Sequence, residues 1–209
     1  MKHLLFIIMI VLGGHASFAQ QLSDKMTTYH DACLKMLDGI NQGFNKYILW
    51  DAIDLYNQVR ITEFNDEDYV PVDSSVVYNE VPPKILFTPE YADSIIVAGS
   101  LVDIDDISIL RKGEDFDIQI LHKGLKANGS IAYISAGFDD CEMMVVGNSG
   151  ANIKLTITDL TTGVSYEGTQ ENDGMISYVL WSLPAEDSEF VFRIDNLSDD
   201  DVSIVIAAN

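Results

Sequence analysis

The stretch Ala151-Asn-Ile-Lys-Leu-Thr-Ile-Thr-Asp-Leu-Thr-Thr-Gly-Val-Ser-Tyr166 decides the fold class. Ile153, Leu155 and Ile157 alternate with Asn152, Lys154 and Thr156, and a turn at Thr162-Gly163 separates this run from the next segment. A period of two places the apolar residues on one face of a strand and the polar ones on the other. The same alternation sets Phe116, Ile118 and Ile120 against Asp115, Asp117 and Gln119, and Phe190, Phe192 and Ile194 against Glu189, Val191 and Arg193. Further short strands are expected near 84–88, 94–102, 129–135, 141–146, 164–169, 175–181 and 202–207. Turns fall at Asn128-Gly129, Asn148-Ser149-Gly150, Asp173-Gly174 and Asn196 to Asp201. Short strands of even spacing with no helix between them predict a β-sandwich of jelly-roll or Greek-key type over residues 84–209.

Upstream the period changes. Leu22, Met26, Tyr29, Cys33, Met36, Leu37 and Ile40 recur at helical spacing, with Ser23 or Asp24 available as N-cap and Gly39 as terminator. Phe44, Ile48, Ala52, Leu55, Tyr56 and Val59 repeat the pattern, and the joint from Gly39 to Gly43 is short. An antiparallel helical hairpin over residues 20–64 follows, with an apolar stripe that must lie on the β domain, on a partner or on a second copy. Residues 65–83, with Asn65-Asp66-Glu67-Asp68, Pro71 and Pro82-Pro83, read as an acidic, proline-marked linker.

Residues 1–19 have a basic start (Lys2, His3), an apolar run from Leu4 to Leu12 and a close at Ser17-Phe18-Ala19. This is the layout of a secretory signal peptide cleaved after Ala19. Its apolar run falls short of the roughly 20 residues a membrane span needs. The expected location is periplasmic or extracellular, with no membrane-embedded segment. Loss of the leader removes Lys2 and no acid, which leaves 11 Lys and Arg against 33 Asp and Glu, a net charge of −22. Such a charge repels phosphate backbones, excludes nucleic acid as a partner, and favours basic surfaces or cations. An exported chain can form a disulfide, so Cys33 and Cys141 are either bridged or two separately buried thiols.

From Gly129 to Ala208 the runs "SIAYISAGF", "ANIKLTITDLTTGVSY", "SYVLWSLP" and "SEFVFRIDNLSDDDVSIVIA" succeed one another. Their order resembles bacterial pre-peptidase C-terminal (PPC) domains, small β-sandwiches appended to secreted peptidases. The resemblance covers about 80 residues and implies an accessory, non-catalytic role. Such domains often carry Asp-x-Asp-Leu after the polar loop. This chain has Asn152-Ile153-Lys154-Leu155 there, so no metal site is carried over.

Only His30 and His122 remain after the leader, which restricts nucleophilic triads. His30 lies three residues before Cys33, where the pair is either a metal or activated-thiol couple or a surface histidine beside a buried cysteine. His122 reads as an exposed residue at a strand end. Acidic loops offer oxygen ligands of the kind calcium takes. Asp139 and Asp140, and the run Asp199, Asp200, Asp201, fall between strands where neighbouring turns can converge; solvated charge is the plainer account. Met175 to Trp181 is apolar on both faces, hence either a strand covered twice or an exposed patch. Tyr166, Tyr178 and Trp181 are then candidate binding aromatics. The leading reading is an exported, non-catalytic protein that binds another protein or an extracellular polysaccharide. The alternatives are a carbohydrate-binding module using those three rings, and a small secreted hydrolase with paired carboxylates.

Overall fold

The computed structural model describes residues 21–63, 70–72, 80–82, 84–100, 117–148 and 150–209. The leader, the acids at 103–106 and 114–115, and Phe116 lie outside them. Two strands organise the rest. Residues expected as separate strands near 129–135 and 141–146 form one strand, β5 (Ser130–Gly147), and those at 175–181 and 190–194 form another, β9 (Ile176–Asn196). They pair antiparallel along their whole length, with a register shift between Gly137 and Asp139. A bulge bends a strand and increases its local twist. Here it carries the β5–β9 ribbon from one layer of a sandwich into the other.

In the first layer β1 (Ile61–Glu63) lies parallel to β4 (Ile118–Leu125), with β3 (Glu80–Val81) on the same edge; β4 pairs with β10 (Val202–Ala208) and β10 with the second half of β5. The first half of β9 follows, then β8 (Thr169–Glu171). In the second layer β2 (Val70–Pro71) pairs with the first half of β5, and the second half of β9 pairs with β6 (Ile153–Asp159), which pairs with β7 (Ser165–Glu167). The last strand thus inserts between β4 and β5, a Greek-key-like crossover in a mainly β sandwich. Trp181 in the first layer meets Phe190 of the second at 5.1 Å, and Phe192 stacks on Tyr133 at 5.3 Å. Leu155 N–H donates to Ser177 Oγ at 3.2 Å and ties the layers through a buried polar group.

The hairpin forms as expected, with α1 at Asp24–Asn41 and α2 at Lys46–Tyr56. Ser23 caps α1 by accepting from Met26 N–H, a contribution of about 1 kcal/mol. Gly39 is not its terminator: it is buried inside the helix, where an added Cβ would stand 2.8 Å from Leu49 Cδ2. The chain instead turns at Gly43 (φ 74°) and Phe44 (φ 62°) before Asn45 caps α2. That turn shifts the buried stripe of α2 to Leu49, Ala52 and Tyr56 and leaves Phe44 outside it.

The strand expected at 94–102 is a helix, α3 (Pro89–Ser100). Thr88 caps it, accepting from Tyr91 N–H at 3.1 Å, with proline at the first helical position and Glu90 in the first turn. A short apolar run such as Ile95-Ile96-Val97 reads equally as strand or buried helix, and the start signals decide it. No strand forms over 84–88 either. Phe87 is buried at φ 57°, and its carbonyl accepts from Tyr29 O–H at 3.2 Å.

The turn after β6 provides a pH test. Asp159 accepts from the N–H groups of Thr161 (2.7 Å) and Thr162 (3.2 Å) and from Thr162 Oγ1 (2.6 Å). These bonds, the Thr162 hydroxyl first, hold its carboxyl below the usual range. A folded value below the unfolded one near 3.9 means that the ionised form stabilises fully above that pH and less as pH falls through the folded value. The Asp159→Asn variant is therefore expected to melt below the parent at pH 7, with the gap closing towards pH 3. A gap independent of pH would contradict this account.

Candidate binding surface

In β9 residues 176–181 have one face buried against the second layer and the other partly covered by α1, where Tyr178 and Leu180 are half-buried. Glu142, Met144, Tyr178 and Leu180 share the outer face of the first layer by their pairing. There the Ser23 N–H and hydroxyl donate to the Glu142 carboxylate, and Asn209 Nδ2 donates to it at 2.9 Å, so the start of α1, the sheet and the residue after β10 meet at one acid. Further along, His30 Nε2 lies 2.9 Å from Glu171 Oε2, and Tyr178 O–H donates to Glu171 Oε1 at 3.1 Å. Burial, then the Glu171 bond, raises the Tyr178 pKa.

This arrangement corrects the aromatic row read from the sequence. Trp181 is only 2% exposed and packs in the sandwich interior, Tyr178 is held under α1, and Tyr166 is half-buried on β7 against the core. The three do not form an exposed row. His30 and Cys33 do not act as a couple either. Cys33 lies between Tyr29 and Tyr56 and receives the Tyr56 hydroxyl at 3.6 Å; burial pushes its thiol up to about 12. A thiol held protonated is a poor nucleophile and a poor metal ligand. Cys141 sits on β5 opposite Trp181, and the structure keeps the two cysteines as separate thiols. His122 is not at a strand end: it is in mid β4, with Nε2 2.8 Å from the Leu86 carbonyl.

The acidic turn at 199–201 is closed by hydrogen bonds. Asp201 accepts from Ala127 N–H (2.9 Å), Asp199 from Asn128 Nδ2 (3.3 Å), and the Asp200 carbonyl from the buried Asn196 (2.9 Å). Asp140 is exposed beside the β5 bulge; the Asp139 side chain lies outside the described residues. Among the described residues no three His, Cys, Asp or Glu groups come together to hold a metal ion.

The exposed feature is on the hairpin. Phe44, in the turn before α2, and Tyr47 and Trp50, three residues apart on the outer side of α2, are 57%, 66% and 46% exposed. Tyr47 and Trp50 meet edge to face at 5.7 Å and 81°. Lys46 Nζ lies 5.4 Å from the Tyr47 ring centroid and 5.6 Å from that of Trp50, inside cation–π range. Phe44 holds a left-handed backbone that costs an L side chain roughly 1–2 kcal/mol, and its ring stays more than half exposed. Beside this ridge Asp51 approaches Lys35 at 3.9 Å, and Lys35 lines a cleft of about 440 Å³ with Asp31, Leu34, Asp38, Asn41, Leu55 and Asn172. Two aromatics off the apolar stripe at i and i+3 were the available signal in the sequence; the stripe itself drew attention to Phe44 as a core residue.

The fold places the chain in the class of small Greek-key-like β-sandwiches, here with a helical cover. No family model matches the sequence, and the search of the curated proteins returns no match. Among solved structures it is similar to the pre-peptidase C-terminal domain of a collagenase from Bacillus anthracis, with TM-score 0.37, 7% identity, and 43% of this chain and 87% of that one covered. It is also similar to the Yersinia pseudotuberculosis-derived mitogen (TM-score 0.35, 12% identity, 44% and 85% covered) and to an Aeromonas hydrophila periplasmic inhibitor of g-type lysozyme (0.33, 14%, 44% and 84%). Among the described residues no helix is long and apolar enough to cross a membrane.

Proposed function

We propose that the chain is an exported, non-catalytic module that binds another protein through the outer face of α2. The observation that carries this reading is the exposure of Tyr47 and Trp50 on the outer side of α2, with Phe44 also exposed in the left-handed turn before it. Exposed aromatics of this kind are the usual anchors of protein interfaces. The leader read in residues 1–19 supports export, with cleavage after Ala19. The protonated Cys33 thiol and the engagement of His30 by Glu171 support a role without nucleophilic chemistry. A sugar-stacking role fits less well, because rings at 81° do not offer the flat strip along which sugar rings lie.

Oxidative footprinting tests the proposal. The protein in its producing cells and the purified mature chain are labelled in parallel. Tyr47 and Trp50 are expected to label strongly when purified and to be protected in situ, with Leu160 and Val164 labelled alike in both. Equal labelling of Tyr47 and Trp50 in both states would overturn it.

A further inference from the structure

Lys46 is oddly placed for helix stability. It occupies the first position of α2, where the helix dipole disfavours a cation, and no acid stands in that first turn. Its ammonium rests against Tyr47 and Trp50, which form a two-sided receptor for a positive group. Around the receptor the chain is acidic. Asp51 and Asp54 are exposed on α2, Asp31 and Asp38 line the adjoining cleft, and the whole mature chain carries 33 acids against 11 bases.

Building on the reading of α2 as a protein-binding face, we infer that its partner is a basic protein that inserts an Arg or Lys side chain against Tyr47 and Trp50, displacing Lys46. The receptor supplies the π faces, which hold a cation at short range. The surrounding carboxylates supply the long-range field, which draws a basic surface in and repels acidic ones. Lys46 fills the site in the unbound chain. Its side chain is exposed, so a partner cation pushes it aside at the cost of one exposed contact.

The probe is a deca-arginine peptide, with deca-serine as control, titrated into the purified mature protein by calorimetry and by tryptophan emission. Of the two tryptophans Trp181 is buried, so a change in the solvent-exposed emission reports on Trp50. The arginine peptide is expected to bind and quench, the serine peptide to do neither. Tyr47→Leu/Trp50→Leu keeps apolar side chains and the net charge but removes the π faces, and is expected to weaken binding about tenfold. Tyr47→Phe/Trp50→Phe should retain most of it. Lys46→Gln should tighten binding about threefold more than Lys84→Gln, which removes the same charge elsewhere. Undiminished binding by the leucine pair, or equal effects of Lys46→Gln and Lys84→Gln, would overturn the inference and reduce the attraction to bulk charge. If footprinting shows the face covered in cells while the arginine peptide fails to discriminate, the partner-binding reading stands and this choice of partner falls.

Discussion

The Phe192→Ala variant is expected to lose about 3–5 kcal/mol of stability, which for a domain of this size lowers the melting midpoint by about 6–20 °C. Phe192 is fully buried in the second half of β9, stacked on Tyr133 of β5 and near Phe190, with Ile157 of β6 paired across from it. Removing the ring takes apolar atoms out of contact and leaves a hole between two layers that the long β5–β9 ribbon holds at fixed spacing. Relaxation is limited, so the cavity term adds to the transfer term. Total stability of such domains is only about 5–15 kcal/mol, so the loss is a large share of it. Leu197→Ala, on a side chain 49% exposed, is the control and should stay within about 0.5 kcal/mol. A fall of less than about 1 kcal/mol for Phe192→Ala would show that the ribbon is not the common core of both layers.

The second large effect is on binding. Tyr47→Ala/Trp50→Ala is expected to weaken binding of the native partner about 100-fold or more, since central aromatic anchors each contribute about 2 kcal/mol or above. The melting midpoint should hardly move, because both rings are exposed and the buried side of α2 is made by Leu49, Ala52 and Tyr56. The converse holds for the aromatics read from the sequence. Trp181→Ala should destabilise strongly through loss of its contact with Phe190, and Tyr166→Ala should leave binding unchanged. A binding defect from Tyr166→Ala with none from Tyr47→Ala/Trp50→Ala would reverse the assignment.

Strands with one wet face were legible in the sequence. Ile153, Leu155 and Ile157, and Phe190, Phe192 and Ile194, point inward as their alternation predicts. The merging of neighbouring strands into β5 and β9 was not, because Gly137 and Pro184 stand where the ribbon bends and read in sequence as breaks between strands, whereas here they lie inside strands that continue past the register shift. The helix at Pro89–Ser100 was misread because its apolar residues are too few to fix a period, although Thr88, Pro89 and Glu90 carried the start signal. The candidate site was hidden for a related reason. Segments that are apolar on both faces form core, as at Trp181. The left-handed turn at Gly43 and Phe44, which no residue type requires at Phe44, is what rotates α2 and turns Phe44 outward.

Site-specific photo-crosslinking tests most directly the claim that the outer face of α2 is where a protein partner sits. A photoreactive phenylalanine analogue is placed at position 47, and separately at position 166, in the full-length chain in its producing cells. A discrete protein adduct from position 47, larger than the chain and not twice its mass, with none from position 166, is the result predicted. Adducts from position 166 alone, or none from position 47, would contradict it, and an adduct at twice the mass would assign the face to self-association instead.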